Sequence, residues 1–178
     1  MRARLGAMAV VAASATASAE PRELGVDATL GVPLSPWKHD TGIGGGGSLW
    51  LHIHVTPLVD VTARLGAIVH ASRPLAAVPN ASSRLSEIPL VGGARYRLTD
   101  GLVRGYLEGE VGIIFRRVDV DAAGITDDSA RIRLASALGA AVEVDRFDLR
   151  AAVWLADLAD LDHEIGVVIS AGVQFYRF

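Results

Sequence analysis

Cysteine is absent from this 178-residue sequence. That excludes disulfides, thiolate metal sites, a thiol nucleophile and lipid attached to an N-terminal cysteine. Lysine is nearly absent as well, represented by Lys38 alone. The 17 Lys+Arg against 20 Asp+Glu leave a formal net charge of −3, so there is no basic footprint for nucleic acid and none is expected as a partner. No uncharged run suits a membrane-spanning helix. Residues 5–19 fall short of the ~20 needed, and residues 41–59 are broken by four consecutive glycines, His52, His54 and Pro57. Hydrophobic residues nevertheless amount to 51% and the mean hydropathy is +0.35, an excess that calls for an apolar surrounding.

Part of the excess sits at the N-terminus. Arg2 and Arg4 precede a run of small and apolar residues, and Ala17-Ser18-Ala19 stands before Glu20. A basic start, a short apolar stretch and an A-x-A site are the layout of a secretory signal peptide. Residues 1–19 are therefore expected to be a signal peptide and residues 20–178 a single exported domain, with no composition break to divide it.

From Leu24 onward the chain alternates with period 2, the signal of strands with one apolar and one polar face. Eight segments carry it. The first sets Leu24, Val26, Ala28 and Leu30 against Glu23, Asp27 and Thr29. The second sets Leu49, Leu51, Ile53 and Val55 against Ser48, Trp50, His52 and His54, and the third Val61, Ala63, Leu65 and Val69 against Asp60, Arg64 and His70. Later segments place Glu87, Arg95 and Arg97, then Arg104, Tyr106, Glu108, Glu110 and Arg116, on the polar face. Arg131, Arg133, Glu143, Asp148 and Arg150 follow on the same face of the sixth and seventh, and the eighth runs from Ile165 to Phe175. Short connections around Pro57, Asp100-Gly101 and Asp145-Arg146 alternate with long ones at residues 35–42, 72–85, 117–128 and 157–164. Short turns on one rim and long loops on the other describe an all-β, eight-stranded antiparallel up-and-down transmembrane barrel with its short turns in the periplasm.

A water-soluble barrel alternates equally well. The polar face here holds Arg, Asp and Glu in near balance rather than the lysine-rich mixture of a wetted surface. Arginine suits enclosed pairing because its planar fork meets a carboxylate with two bonds. The polar face is thus expected to point inward as a charge network of Asp27, Arg64, Arg95, Arg97, Arg104, Glu108, Glu110, Arg131, Arg133, Glu143, Asp148 and Arg150. Tyr96, Phe147, Tyr176 and Phe178 fall near the short-turn rim and Phe115 near the other, where aromatic girdles belong.

The terminal stretch Gly172-Val173-Gln174-Phe175-Tyr176-Arg177-Phe178 resembles the C-terminal assembly signal of bacterial outer-membrane barrels, and the eight-segment plan resembles the small OmpA/OmpX-type families. The resemblance implies an outer-membrane location, contact with membrane lipid, and entry through the barrel assembly machinery by way of Tyr176 and Phe178. One feature departs from it. Apolar parity is odd up to Phe175 whereas Tyr176 and Phe178 are even, which a bulge near Phe175 or a slipped register would reconcile.

At eight strands the interior is just wide enough for side chains to fill, so the lumen reads as a plug of ion pairs. Hairpin registry around Pro57 places His52 near Arg64 and Trp50 near Gly66. The chemistry-bearing candidates are few. His52 and His54 share one strand face at a spacing that metal ligands use, but read as hydrogen-bonded filling, so no metal and no cofactor is expected. Ser136 lies on the apolar face with no histidine on its strand, and residues 44–47 follow no phosphate-loop pattern. The reading is a non-enzymatic, monomeric outer-membrane barrel with an envelope-structural or surface-interaction role and an unknown extracellular ligand. Its alternatives are a small porin-like channel, a lipid-modifying enzyme and a soluble periplasmic ligand-binding barrel.

Overall fold

In the computed structural model the described residues are 22–34, 37–39, 41–74, 81–122, 125–159 and 164–177. The expected signal peptide and Phe178 lie outside them. The strands are β1 (Arg22–Pro33), β2 (Gly44–Thr56), β3 (Val59–His70), β4 (Arg73–Pro74), β5 (Ala81–Arg97), β6 (Val103–Ala122), β7 (Ile125–Val144), β8 (Phe147–Leu155) and β9 (Ile165–Arg177). Each pairs antiparallel with its neighbours, β1 pairs with β9, and β3 pairs with β5. Eight strands therefore close into a ring that has no free edge along its wall. The two-residue β4 pairs on the margin of β5, outside the ring.

Alternation sorts the side chains as the sequence indicates. Odd positions of β6 such as Val111 and even positions of β7 such as Leu138 stand outward, 57% and 71% exposed, while Glu108, Glu110 and Glu143 on the opposite parity are buried. The short-turn rim is tight. Thr56 Oγ1 accepts from the Leu58 and Val59 amides at 3.3 and 3.0 Å. Gly101 takes φ 115° and Asp145 φ 56°, the left-handed region that these two residue types tolerate. The wall also closes tightly in β6, where a Cβ added at Gly112 would fall on the Leu90 carbonyl oxygen of β5.

Three features depart from the sequence reading. The β2–β3 turn consists of Pro57-Leu58, and an extra residue at Val55 shifts the ladder, so Trp50 faces Arg64 and His52 faces Thr62. Trp50 still covers a glycine, but it is Gly25 of β1, where a Cβ would fall inside the indole. The inward face is also not uniformly polar: Val91, Ile114, Ala135, Ala137, Ala152, Trp154 and Val168 form an apolar layer within it. Two-sided apolar stretches such as Ile113-Ile114 and Val167-Val168-Ile169 hide this layer from an alternation search.

The third departure is largest. Much of the connections at 72–85 and 117–128 is strand, because β5, β6 and β7 run on together as an arm beyond the ring, their ladders reaching Ala81↔Ala122 and Ala122↔Ile125. Along the arm the polarity inverts. Its outward positions are Ser82, Arg84, Arg117, Asp119 and Asp121, and its inward positions include the buried Ala81 and Leu85 together with Val118 and Val120. The same period 2 thus carries opposite polarity above and below residues 86 and 117, as expected where the exterior changes from hydrocarbon to water.

At the terminus, β1 pairs Leu24 with Tyr176 but Gly25 with Gln174, leaving Phe175 as the extra residue of a bulge. Of the two reconciliations, the bulge is the one present. It resets the parity so that Phe175 and Tyr176 are both exposed. Val111→Arg at mid-strand is expected to cost ~2–4 kcal/mol in reversible unfolding from lipid vesicles, and Ser82→Arg on the arm less than ~0.5 kcal/mol. Equal costs would contradict the inferred exterior boundary.

Candidate functional site

The inward-facing residues form stacked layers. Nearest the short turns, Arg95 of β5 is 1% exposed and binds partners around the ring. Its Nε donates to Asp60 of β3 at 2.6 Å, and its Nη2 lies 3.5 Å from Glu23 of β1 and 3.5 Å from Glu143 of β7. Nη1 is 4.0 Å from Asp148 of β8, and the guanidinium lies 4.2 Å from the centre of the Tyr106 ring of β6. His54 of β2 meets Asp60 at 2.5 Å and Glu23 at 3.2 Å, and Arg177 of β9 approaches Glu23 at 3.8 Å. Every strand of the ring thus contributes to one cluster. At its margin Arg104 pairs with Glu143, and Arg97 reaches Asp100 at 3.6 Å and the Tyr106 ring at 5.7 Å.

The next layer is a chain of alternating charge. Arg64 of β3 pairs with Asp27 of β1 and sends its Nε to Glu110 of β6 at 3.4 Å. The other carboxylate oxygen of Glu110 accepts from Arg150 of β8 at 2.5 Å, and Arg150 also pairs with Glu108. Ser48 and Thr29 hydroxyls donate to Asp27 at 2.7 and 2.8 Å. Beside this chain Trp50 and His52 stack with ring centres 4.2 Å apart. Because alternate residues of a strand share a face, acids and arginines placed two apart, as in Glu108/Glu110 and Arg95/Arg97, deliver successive charges to one lumen wall.

Above the apolar layer a second polar group closes the long-connection end. His70 Nδ1 lies 2.8 Å from the Gly42 carbonyl and its Nε2 3.1 Å from Glu87. Glu87 accepts from Arg116 Nε at 2.8 Å, and Arg116 also pairs with Glu164. Arg133 meets Asp157 at 3.1 Å.

Of the residues expected in the lumen network, Asp27, Arg64, Arg95, Glu108, Glu110, Glu143, Asp148 and Arg150 lie in these two layers, with Arg97 and Arg104 at the near margin and Arg133 toward the far end. Arg131 is not among them. It is exposed on the arm, across from Arg116, because β7 has left the ring at that point. Residues outside the expected set also join the network. Glu23, His54, Asp60, Glu87, Tyr106 and Arg116 share the parity of their neighbours, which is the signal for them in the sequence, while Arg177, His70, Asp157 and Glu164 add to its two ends. His54 is hydrogen-bonded as expected, whereas His52 is not: it stacks on Trp50 and its two buried ring nitrogens have no hydrogen-bond partner among the described residues. No cluster of three metal-ligating side chains forms among the described residues. Tyr176 is described and outward, whereas Phe178 lies outside the described residues.

An antiparallel ring of eight strands, apolar outside and ion-paired within, defines a bacterial outer-membrane barrel. The sequence matches the model of the outer membrane protein beta-barrel domain over residues 5–175, and the chain belongs to that family. It is a protein of the cell outer membrane, with the short turns on the periplasmic side. No curated protein matches it. Among solved structures it is similar to Ail, the attachment invasion locus protein of Yersinia pestis, with a TM-score of 0.65 and 12% identity over 89% of this chain and 99% of that one. Neisserial surface protein A is similar with a TM-score of 0.53 and 17% identity, covering 86% of this chain and 97% of that one. At such identities the likeness is one of fold.

Arg150→Met leaves Glu108 and Glu110 buried without their shared cation and is expected to lower stability by ~3–5 kcal/mol. Arg117→Met, whose side chain is 60% exposed beside Asp119 and Asp128, is expected to cost less than ~1 kcal/mol. Urea midpoints in vesicles compare the two, and similar losses would mean that the lumen pairs are solvated.

Proposed function

We propose that this chain is a non-enzymatic outer-membrane barrel whose sealed membrane part anchors an outward-facing arm, combining an envelope-structural role with surface contact. The observation that carries the reading is the filled lumen. Two cavities among the inward-facing residues, one beside Arg64, Glu110 and Arg150 and one beside His70 and Glu87, measure about 30 and 10 Å³, room for a water or so each. A groove of about 900 Å³ at the periplasmic rim is lined by residues of the turns and strand ends, Arg104, Arg146, Gln174 and Arg177 among them. A hydrated ion crossing the lumen would have to separate guanidinium–carboxylate pairs contributed by opposite walls.

Among the described residues the side chains form no arrangement for acyl or phosphoryl chemistry. Ser136 stands on the lipid-facing parity between Val111 and Leu155, and His70 is committed to Gly42 and Glu87. Entry into the membrane is assigned to the barrel assembly machinery, acting on a terminal strand whose bulge turns Tyr176 toward lipid. Planar-bilayer recordings of the purified protein are expected to show no reproducible conductance steps. Regular single-channel openings would replace this reading with the porin-like one, and a change in lipid A mass on expression would replace it with an enzymatic one.

A further inference from the structure

Two buried carboxylates of the layer nearest the short turns stand directly opposite each other. Glu143 of β7 pairs with Asp148 of β8 across the hairpin that turns at Asp145-Arg146, and both follow the inward parity, 5% and 7% exposed. Like charges directly opposite are unfavourable in a sheet, and burial withdraws the water and salt that screen them. The wall on either side of the pair, β6 and β9, is described at this level.

The row of residues around the wall leaves the two acids unequally met. From β6 to β1 it runs Arg104, Glu143, Asp148, Gly172 and Asp27. Arg104 pairs with Glu143 Oε1, whereas the next residue beyond Asp148 is a glycine. Arg150, the following inward residue of β8, turns to Glu108 and Glu110. Arg95 reaches Asp148 at 4.0 Å, and its closer contacts are with Asp60, Glu23 and Glu143. Glu143 Oε2 lies 3.5 Å from Arg95 Nη2 but accepts no aligned hydrogen bond among the described residues. A buried acceptor left without a donor is destabilising, and the group directly across from this oxygen is an acid.

We infer that Glu143 and Asp148 hold one proton between them, taken up from the periplasmic side, so that the β7–β8 hairpin carries a proton-binding site in the barrel wall. A carboxyl hydrogen donated by Asp148 to Glu143 Oε2 removes the repulsion and supplies the missing donor. It leaves one negative charge on the pair for Arg95 and Arg104 to meet. Two carboxylates sharing a desolvated site hold a proton in this way because both cannot ionise together, and the proton belongs to the pair rather than to either residue.

The site makes stability depend on pH with a definite sign. An ordinary carboxyl of the unfolded chain releases its proton well below neutral pH, so the folded barrel binds one proton more than the unfolded chain. The stability that this proton supplies is present in acid and lost as the pH rises through the titration of the pair, the reverse of ordinary acid denaturation. The other charged and titratable side chains facing the pair are Glu23 and Asp27 of β1, His52 and His54 of β2, Asp60 and Arg64 of β3, Arg95 of β5, Arg104, Tyr106 and Glu108 of β6, Arg150 of β8 and Arg177 of β9. All of them are common to wild type and to a variant changed at Asp148 alone, so the difference between the two reports the pair.

The test compares wild type with Asp148→Asn, whose amide donates in place of the carboxyl, by reversible unfolding of the whole protein in lipid vesicles between about pH 6 and about pH 9. The variant is expected to match wild type at the acidic end and to surpass it at the alkaline end, the folded-to-unfolded ratio of wild type falling behind by up to about tenfold per pH unit. Infrared spectra of folded wild type at neutral pH are expected to show the carbonyl band of a protonated carboxyl, shifted in heavy water and missing from the variant. A variant less stable than wild type across the whole range would make Asp148 an ionised partner of Arg95 and overturn the inference. Folded wild type without the protonated-carboxyl band would overturn it as well, and that measurement does not depend on the variant folding.

Discussion

A guanidinium withdrawn from water has to be surrounded by acceptors, and in this barrel the demand made by Arg95 falls on the whole ring. Its direct neighbours come from β1, β3, β6, β7 and β8, and His54 and Arg177 bring β2 and β9 to the same carboxylates. Removing one partner of a buried pair leaves an uncompensated charge, a larger loss than a surface pair ever returns. A one-residue slip between any two of these strands would turn one of the partners from lumen to lipid. The cluster therefore acts on register at all seams at once, which backbone ladders alone, repeating at every step, do not.

The exterior imposes the complementary constraint. With hydrocarbon outside and ion pairs inside, parity is enforced from both faces within the membrane band, and the outward set accordingly stays apolar from Leu107 to Phe115. Where the strands leave the band, the constraint changes sign. Outward positions Arg117, Asp119 and Asp121 meet water, while Leu85 and Val118 pack with the apolar cluster of the inward face. The arm is thus the same three strands in a different solvent.

This explains which parts of the molecule are legible in its sequence. The ring strands, the inward charges and the tight turns at Gly101 and Asp145 follow from alternation and turn chemistry that tertiary contacts leave intact. The arm is not legible in the same way, because an alternation search that assigns apolar residues to the exterior reads Arg117-Val118-Asp119-Val120-Asp121 as polar loop when it is strand of inverted polarity. The partner of Trp50 was misplaced for a different reason: one extra residue at Val55 and a two-residue turn shift the ladder by a step that composition does not encode. The bulge at Phe175 shows in the sequence only as a conflict of parity between Phe175 and Tyr176, and it is the pairing of the last strand with β1, a contact between the two ends of the chain, that selects the bulge over a slipped register. The inward role of Glu23 and Asp60 lay in plain view on the polar parity, yet their convergence on one arginine depends on ring closure between β1 and β9 and between β3 and β5.

The claim that register and stability depend on cooperative pairing at Arg95 is tested most directly by a double-mutant cycle on Arg95→Met and Asp60→Leu, read by reversible unfolding in lipid vesicles. The account predicts that the double variant loses less stability than the two single losses combined, by at least ~1 kcal/mol. Strictly additive losses would contradict it.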